Sequence, residues 1–294
     1  MYELIKLTEH DYYIDCPAKI GLVRTGDSDV VLIDSGNDKD AGKKVLRVIQ
    51  DNGWNLKAIY NTHSHADHVG GNQFLQEKTG CSVYAYGIEN AFTAFTILEP
   101  ACLYGGRPFK DIKNKFLMAK ESKVTPLTAE MLPAGMHLLE LRGHSADMAG
   151  YLTADGTAYV GDCVASEETL GKYGVTYLWD PEESIRTLEY VKTIDAARFV
   201  PAHAAVTEDI SRLSDVNILA IKEIENRLLD MCGDYITFDN LLKKVFDEYG
   251  LTMTMQQNAL VGSTIRSFLS SMCDRGLVQY EFRDNIMNWK IAEN

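Results

Sequence analysis

Residues 61–71 read NTHSHADHVGG, so three histidines and an aspartate fall within the six positions from His63 to His68. The whole chain has seven histidines, and a concentration of this kind restricts what the surrounding backbone can be. Either the segment is a polar surface loop, or it converges on something that draws imidazole and carboxylate together. A divalent transition metal does so, because neutral imidazole nitrogens and carboxylate oxygens are among its preferred ligands. His63 and His65 are two apart and face one direction in an extended or turning segment. Asp67 and His68 open a helix and face an adjacent point. The segment therefore offers half of the ligands for each of two neighbouring metals, and the other half has to come from elsewhere.

The residues before the cluster, LKAIYNTH, read as a strand. The cluster then lies just beyond a strand's carboxyl end, where α/β proteins commonly carry their chemistry. Three more candidates occupy the same kind of position: His144 in LRGHSADMAGY, Asp162 in YVGDCV and His203 in FVPAHAA. Five of the seven histidines fall at strand-to-loop junctions, and only His10 and His137 do not.

Around these points the first half of the chain alternates strands and turns. Residues 2–7, 10–16 and 18–25 are β-rich, and SDVVLIDSG at 28–36 is a buried strand entering a turn. Residues 39–52 place Val45, Leu46, Val48 and Ile49 at helical spacing before the stop signal Gly53. Residues 81–86 form another strand. Residues 88–132 are aromatic, punctuated by Gly and Pro and weakly periodic, which marks a partly helical insertion and a candidate lid. Strands resume at 137–142, 148–153 and 157–161, and Asp180-Pro181 starts a helix that leads to the strand RFVPAH. Two series of strands, each with helices, predict two sheets face to face, flanked by helices.

From about 211 a long helix, two shorter helical segments and two strands joined at Asp284-Asn285 follow in the order of a winged helix-turn-helix. A duplex-binding unit of that kind should be basic. Residues 215–294 hold eight Lys or Arg and twelve Asp or Glu, so this segment is predicted to pack, dimerise or cap the substrate side. The formal charge of −13 for the whole chain likewise disfavours a nucleic-acid partner. No apolar run has the length of a membrane span or a signal peptide. The six cysteines show no paired spacing, and together these features predict a cytoplasmic protein.

THSHADH, followed in order by His144, Asp162 and His203, resembles the metallo-β-lactamase superfamily, over roughly residues 10–210. The resemblance implies an α/β fold, the αβ/βα four-layer sandwich, with a metal cleft at the sheet edges. The catalytic domain would be 1–210, with 88–132 as its insertion, and 211–294 a small α+β winged-helix-like domain. Two divalent metal ions are implied, zinc first and iron or manganese as alternatives. His63, His65 and His144 would hold one, Asp67, His68 and His203 the other, and Asp162 would bridge them. His65 stands where the diiron flavoprotein oxidoreductases carry glutamate, which aligns the chain with the hydrolases. Only 41 residues separate Asp162 from His203, too few for the extra domain of the β-CASP branch. One departure is the PAHA flank of His203, where many relatives carry GHG.

The implied chemistry is hydrolysis of an ester-like, thioester or amide substrate by metal-activated hydroxide, with Asp67 orienting the nucleophile or shuttling its proton. Asp34 matches a residue that supports the metal site from behind, and also suits a turn. Lys172 and Tyr173 follow the fourth motif, where relatives line the substrate cleft, while Arg107 and Lys110 of the insertion are candidates to reach an anionic substrate. Cys163 reads as a packing residue. Two other functions stay open from sequence: an endoribonuclease or phosphodiesterase of the winged-helix branch, and a regulatory binding protein with a structural metal. A homodimer through the C-terminal domain is compatible with any of them.

Overall fold

The structure, a computed structural model, describes residues 2–293. Its first sheet runs in sequence order: β1 (Glu3–Lys6), β2 (Asp11–Asp15), β3 (Ile20–Arg24), β4 (Asp29–Ile33), β5 (Asn55–Asn61), β6 (Ser82–Ala85) and β7 (Thr125–Pro126). The first four strands pair antiparallel through short turns, and β4 to β7 are parallel. Parallel pairing needs crossovers, and helices α1 (Lys39–Asp51) and α3 (Asn72–Thr79) supply two of them. Asp38 caps α1 by accepting from the amides of Asp40 and Ala41, as its sequence position demands. Val45, Ile49 and Leu75 bury their side chains against the outer face of the sheet.

The second sheet has the order β11 (Arg198–Pro201), β10 (Thr157–Gly161), β9 (Ala149–Leu152) and β8 (His137–Glu140). Its inner face meets that of the first sheet through Tyr151, Tyr159 and Val200 against Val31, Ile33 and Ala58. Buried tyrosines need partners for their hydroxyls, and here those partners tie the sheets together. Tyr151 Oη donates to the Asn61 carbonyl at 2.8 Å and Tyr159 Oη to that of Tyr12 at 2.7 Å. Gly21 permits the close approach, since a Cβ there would lie 2.7 Å from the Tyr159 ring. Helices α7 (Pro181–Val191) and α8 (Ser211–Met231) cover the outer face, completing the four-layer α/β sandwich.

The insertion between β6 and β8 is partly helical, with α4 (Glu89–Ala94) and α5 (Leu98–Tyr104). It also contributes β7, an edge strand that the weak periodicity of 88–132 concealed because only two residues pair. Helix α6 (Glu167–Tyr173), not anticipated from the sequence, follows β10 and is capped by Ser166.

Beyond α8 come β12 (Ile236–Thr237), α9 (Phe238–Glu248), α10 (Met255–Asp274), β13 (Val278–Arg283) and β14 (Ile286–Ile291). The three strands form a sheet in the order β12-β14-β13. Asp284 and Asn285 take positive φ values of 49° and 63°, the geometry of a tight two-residue hairpin. Apolar residues of these helices, including Leu241, Ile265 and Phe268, share one buried cluster with Leu139, Val160 and Leu188 of the sandwich. Among the described residues no helix is long and apolar enough to cross a membrane, and all six cysteines are free.

The VGG turn after the histidine cluster has no room for side chains. A Cβ on Gly71 would lie 2.2 Å from the Ser35 carbonyl oxygen, and one on Gly70 would lie 2.3 Å from the Asn37 backbone. Gly171, in α6, has nothing within 4 Å of the same position. Gly71→Ala should therefore lower the unfolding free energy by about 1–3 kcal/mol through overpacking. Gly171→Ala should raise it by about 0.5–1 kcal/mol by restricting the unfolded chain. Urea denaturation of both variants checks the contrast; equal midpoints would contradict this account of the turn.

Candidate metal centre

Every residue of the cluster leaves the carboxyl end of a strand or its following loop. His63 and His65 follow β5, and α2 (Ala66–Val69) turns Asp67 and His68 back toward them. His144 lies between β8 and β9, Asp162 directly follows β10, and His203 follows β11. The structure brings the seven together in three overlapping groups: His63, His65 and His144; His63, His68 and Asp162; and Asp67, His68 and His203. Within each group the potential ligand atoms lie within 4.8 Å of one another.

Hydrogen bonds at the outer side of the rings decide which nitrogens face inward. Thr62 Oγ1 donates to Asp34 Oδ2 at 2.8 Å, so the same hydroxyl accepts from His63 Nδ1 at 3.0 Å. His68 Nδ1 donates to Asp34 Oδ2 at 2.8 Å, and His203 Nδ1 to the Pro17 carbonyl at 2.9 Å. In each ring Nε2 is thereby left as the inward atom. His65 is turned over: its Nδ1 faces His63 Nε2 at 2.9 Å and His144 Nε2 at 3.0 Å. Its Nε2 points away, 3.5 Å from Glu99 Oε1.

The carboxylates complete the geometry. Asp162 lies 3.3 Å from His68 Nε2, 3.4 Å from His203 Nε2 and 3.6 Å from His144 Nε2. Asp67 Oδ2 lies 3.2 Å from His203 Nε2 and 3.7 Å from His68 Nε2. Two buried atoms here, His68 Nε2 and Asp162 Oδ1, have no hydrogen-bond partner. Orphaned polar atoms are costly in an interior, and inward imidazole nitrogens beside carboxylate oxygens fit divalent cations.

Charge distribution divides the cluster into two halves. Burial pushes His63 down, and likewise holds His65 and His144 at about 4, so these three rings are neutral. Asp162 foremost, then Asp67, raises His203 to about 10 against the effect of burial. Burial also opposes charge on His68, but Asp162, Asp67 and Asp34 overcome it and hold this ring well above its ordinary value. In the metal-free protein, protons thus balance the carboxylates.

Asp34 is buried at φ 66°, a left-handed conformation that few side chains tolerate. It accepts from Thr62 N at 2.8 Å as well as from Thr62 Oγ1 and His68, so it serves both turn and cluster. The PAHA flank of His203 needs no glycine, because neither Ala202 nor Ala204 has a positive φ. Cys163 is buried and burial raises its thiol pKa.

Beside His144, Asp162 and His203 opens a cavity of about 610 Å³ whose lining includes Lys172 and Tyr173. Arg107 and Lys110 are exposed and line none of the cavities found. A second cavity, of about 320 Å³, is lined by Asp67 and by Lys115 and Phe116 of the insertion. Sequence reading missed four residues. Glu99 faces His65, and Tyr177 packs edge-on against His65 and His144 with ring centroids 5.1 and 5.7 Å away. Lys115 shares the smaller cavity with Asp67 and pairs with Asp38 at 3.2 Å, and Gln256 of α10 lines both cavities. A lone acid inside the apolar ILEPAC was a usable signal for Glu99; nothing in MQQNAL marked Gln256.

Known proteins resemble this chain to different extents. A solved β-lactamase domain protein from Burkholderia ambifaria superposes with a TM-score of 0.74 over 99% of this chain and 94% of its own. Its sequence identity is 14%, so the likeness is one of fold. A hydroxyacylglutathione hydrolase of Pelagibacter ubique is 49% identical over 49 residues, 17% of this chain and 20% of the relative. The Beta-lactamase-like protein 2 homolog of Drosophila melanogaster is 27% identical over 187 residues, 61% of this chain and 56% of that protein. The chain therefore spans from about a fifth to just over half of the length of these curated relatives. The family model of the metallo-beta-lactamase superfamily matches residues 13–203, well over half of the chain, and with the sandwich and the histidine–aspartate cluster this places the protein in that superfamily.

Proposed function

We propose that the protein is a metal-dependent hydrolase of ester-like, thioester or amide substrates, with thioesters the nearest class. One observation carries the proposal: inward imidazole nitrogens and carboxylate oxygens crowd together at the mouth of a cavity large enough for a substrate. His63, His65 and His144 would hold one divalent cation, Asp67, His68 and His203 a second, and Asp162 both; zinc suits these ligands best, with iron or manganese as alternatives. When bound, such ions supply Lewis acidity and lower the pKa of water toward neutrality.

The chain's own groups do the rest. Asp34 and Thr62 fix the tautomers of His63 and His68, so their inward nitrogens need no reorganisation. Asp67 uses Oδ2 against His203 and His68, which leaves Oδ1 to orient the nucleophile and take its proton. Its side chain is 43% exposed, so that proton has a route to solvent. Tyr177 and Glu99 close the back of the His65 ring. The similarity to a hydroxyacylglutathione hydrolase supports the substrate class.

We treat 1–210 as the catalytic domain and 211–294 as a winged-helix-like cap of a cytoplasmic, small-molecule enzyme. The acidity of the cap favours this over an endoribonuclease. Three overlapping groups of potential ligands, more than one closed four-ligand site needs, favour catalysis over a structural metal.

Four outcomes are expected. Zinc-loaded protein should cleave at least one member of a panel of thioesters, lactones, phosphodiesters and β-lactams. His65→Ala should lose that activity by about 10³-fold or more; full activity without His65 would refute the assigned ligand set. Glu99→Met, which keeps the volume but removes the acceptor, should weaken zinc binding about 10–100-fold in a chelator competition. Unchanged affinity would reduce Glu99 to a packing residue. Because carboxylates keep His203 and His68 protonated, cation uptake should release protons and tighten as pH rises toward about 10. Calorimetry in buffers of different ionisation enthalpy measures this, and uptake without proton release would contradict it.

A further inference from the structure

The 610 Å³ cavity is built differently at its two ends. At the mouth stand His144, Asp162 and His203, with the exposed Lys172 and Glu168 on the rim. Inside, the walls are carbon: Val164 and Val175 from the sandwich, Ile221 and Ile224 from α8, Leu260 and Val261 from α10. Size alone suits a ligand site, since such clefts commonly occupy about 300–1,000 Å³.

Of the polar side chains in the lining, Asn217, Ser184, Thr187 and Arg142 are already engaged, whereas Thr176, Tyr177, Gln256 and Gln257 are not; of these, Tyr177 packs against His144 and Gln256 also borders the cavity beside Asp67. Asn217 Oδ1 accepts from Ala165 N at 2.9 Å, and its Nδ2 donates to the Ala165 carbonyl at 2.9 Å and the Leu213 carbonyl at 2.8 Å. Ser184 Oγ donates to the Asp180 carbonyl at 2.8 Å and Thr187 Oγ1 to that of Arg142 at 2.6 Å. Arg142 is paired with Glu140 and Asp147, each at 3.2 Å. Among the buried side-chain polar atoms without partners, the one belonging to a lining residue is Asp162 Oδ1, at the mouth. The wall formed by Val164, Ile221, Ile224 and Val261 therefore offers a ligand contact area without hydrogen-bonding side chains of its own. A nucleotide, sugar or peptide would lose water there without replacement.

We propose that this cavity is an acyl-chain pocket, and that the substrate is a thioester or ester of a linear aliphatic acid. The carbonyl sits at the histidine–aspartate cluster and the tail lies between α6, α8 and α10. The proposal rests on the hydrolase function above and narrows its substrate. In the reaction, water supplies oxygen to the acyl carbon and the carbon–sulfur bond breaks. The sulfur leaves as a thiol with one proton, and the second proton is released as the acid ionises. The pocket also gives the C-terminal segment a role, since α8 and α10 furnish much of its apolar wall.

The test uses full-length, zinc-loaded protein and N-acetylcysteamine thioesters of acetyl, butanoyl, hexanoyl and octanoyl groups. kcat/KM should rise about fourfold per added methylene until the pocket is filled. Ala220→Phe, which narrows the cavity from α8, should lower the octanoyl-to-acetyl ratio at least tenfold, with circular dichroism reporting on its fold. Independently of turnover, 1-octanol should bind the wild-type protein saturably at one equivalent, with a negative heat-capacity change. Cleavage of all four thioesters at equal efficiency, with no saturable 1-octanol binding, overturns the pocket and leaves the hydrolase standing. Binding of 1-octanol without cleavage of any thioester or other panel member overturns the hydrolase and keeps an apolar-chain site. Failure of both removes both.

Discussion

The buried carboxylate of Asp34 is the point on which the site depends. It leaves β4 in a left-handed conformation and collects three hydrogen bonds, from the Thr62 amide, the Thr62 hydroxyl and His68 Nδ1. Two of these come from the segment after β5 and the third from α2, so one side chain joins the ends of two neighbouring strands to the short helix that follows β5. A cluster of inward imidazole nitrogens and carboxylates is electrostatically poised, and its rings would reorient if nothing held their outer nitrogens. Asp34 holds His68 directly and His63 through Thr62. Pro17 does the same for His203 from the β2–β3 turn.

Around that point the two sheets act as a jig. Tyr151 and Tyr159 link them through main-chain carbonyls, and the Ala149 amide donates to the Thr62 carbonyl at 2.8 Å, adjacent to the cluster. Residues from β5 and from β8–β11 can meet because the sheets' inner faces are packed on each other. Gly70 and Gly71 matter for the same reason: the turn after His68 runs against the backbone of residues 35–37 with no space for a Cβ. The site is thus a property of the sandwich's packed edge and not of one loop.

The C-terminal helices extend this logic outward. α8 and α10 share a core with the second sheet, and their apolar residues wall the cavity beside the cluster. Gln256, at the start of α10, borders both that cavity and the one beside Asp67. The chain's negative charge and the acidic C-terminal surface fit a wall better than a duplex-binding face.

Much of this was legible in the sequence because it rests on local rules. Strand runs, the capping Asp180, and the Asp284-Asn285 turn depend on residues within a few positions of one another. The histidines and aspartates stood out by type and by their place after strands. Other features were hidden for a physical reason. β7 exists only because β6 offers it an edge, and two residues carry no periodicity. Lys115 borders the cavity beside Asp67 and pairs with Asp38, while Arg107 and Lys110 line neither cavity, since the path of the insertion and not its charge decides where each cation lies. Glu99 and Gln256 became neighbours of the cluster through packing between segments far apart in the chain. The sequence alone determined which atoms are available to bind a cation, because that is a matter of side-chain chemistry. Only the tertiary structure decided which nitrogen of each ring faces inward and what shape of molecule fits beside it, because both follow from contacts that form when distant segments close on one another.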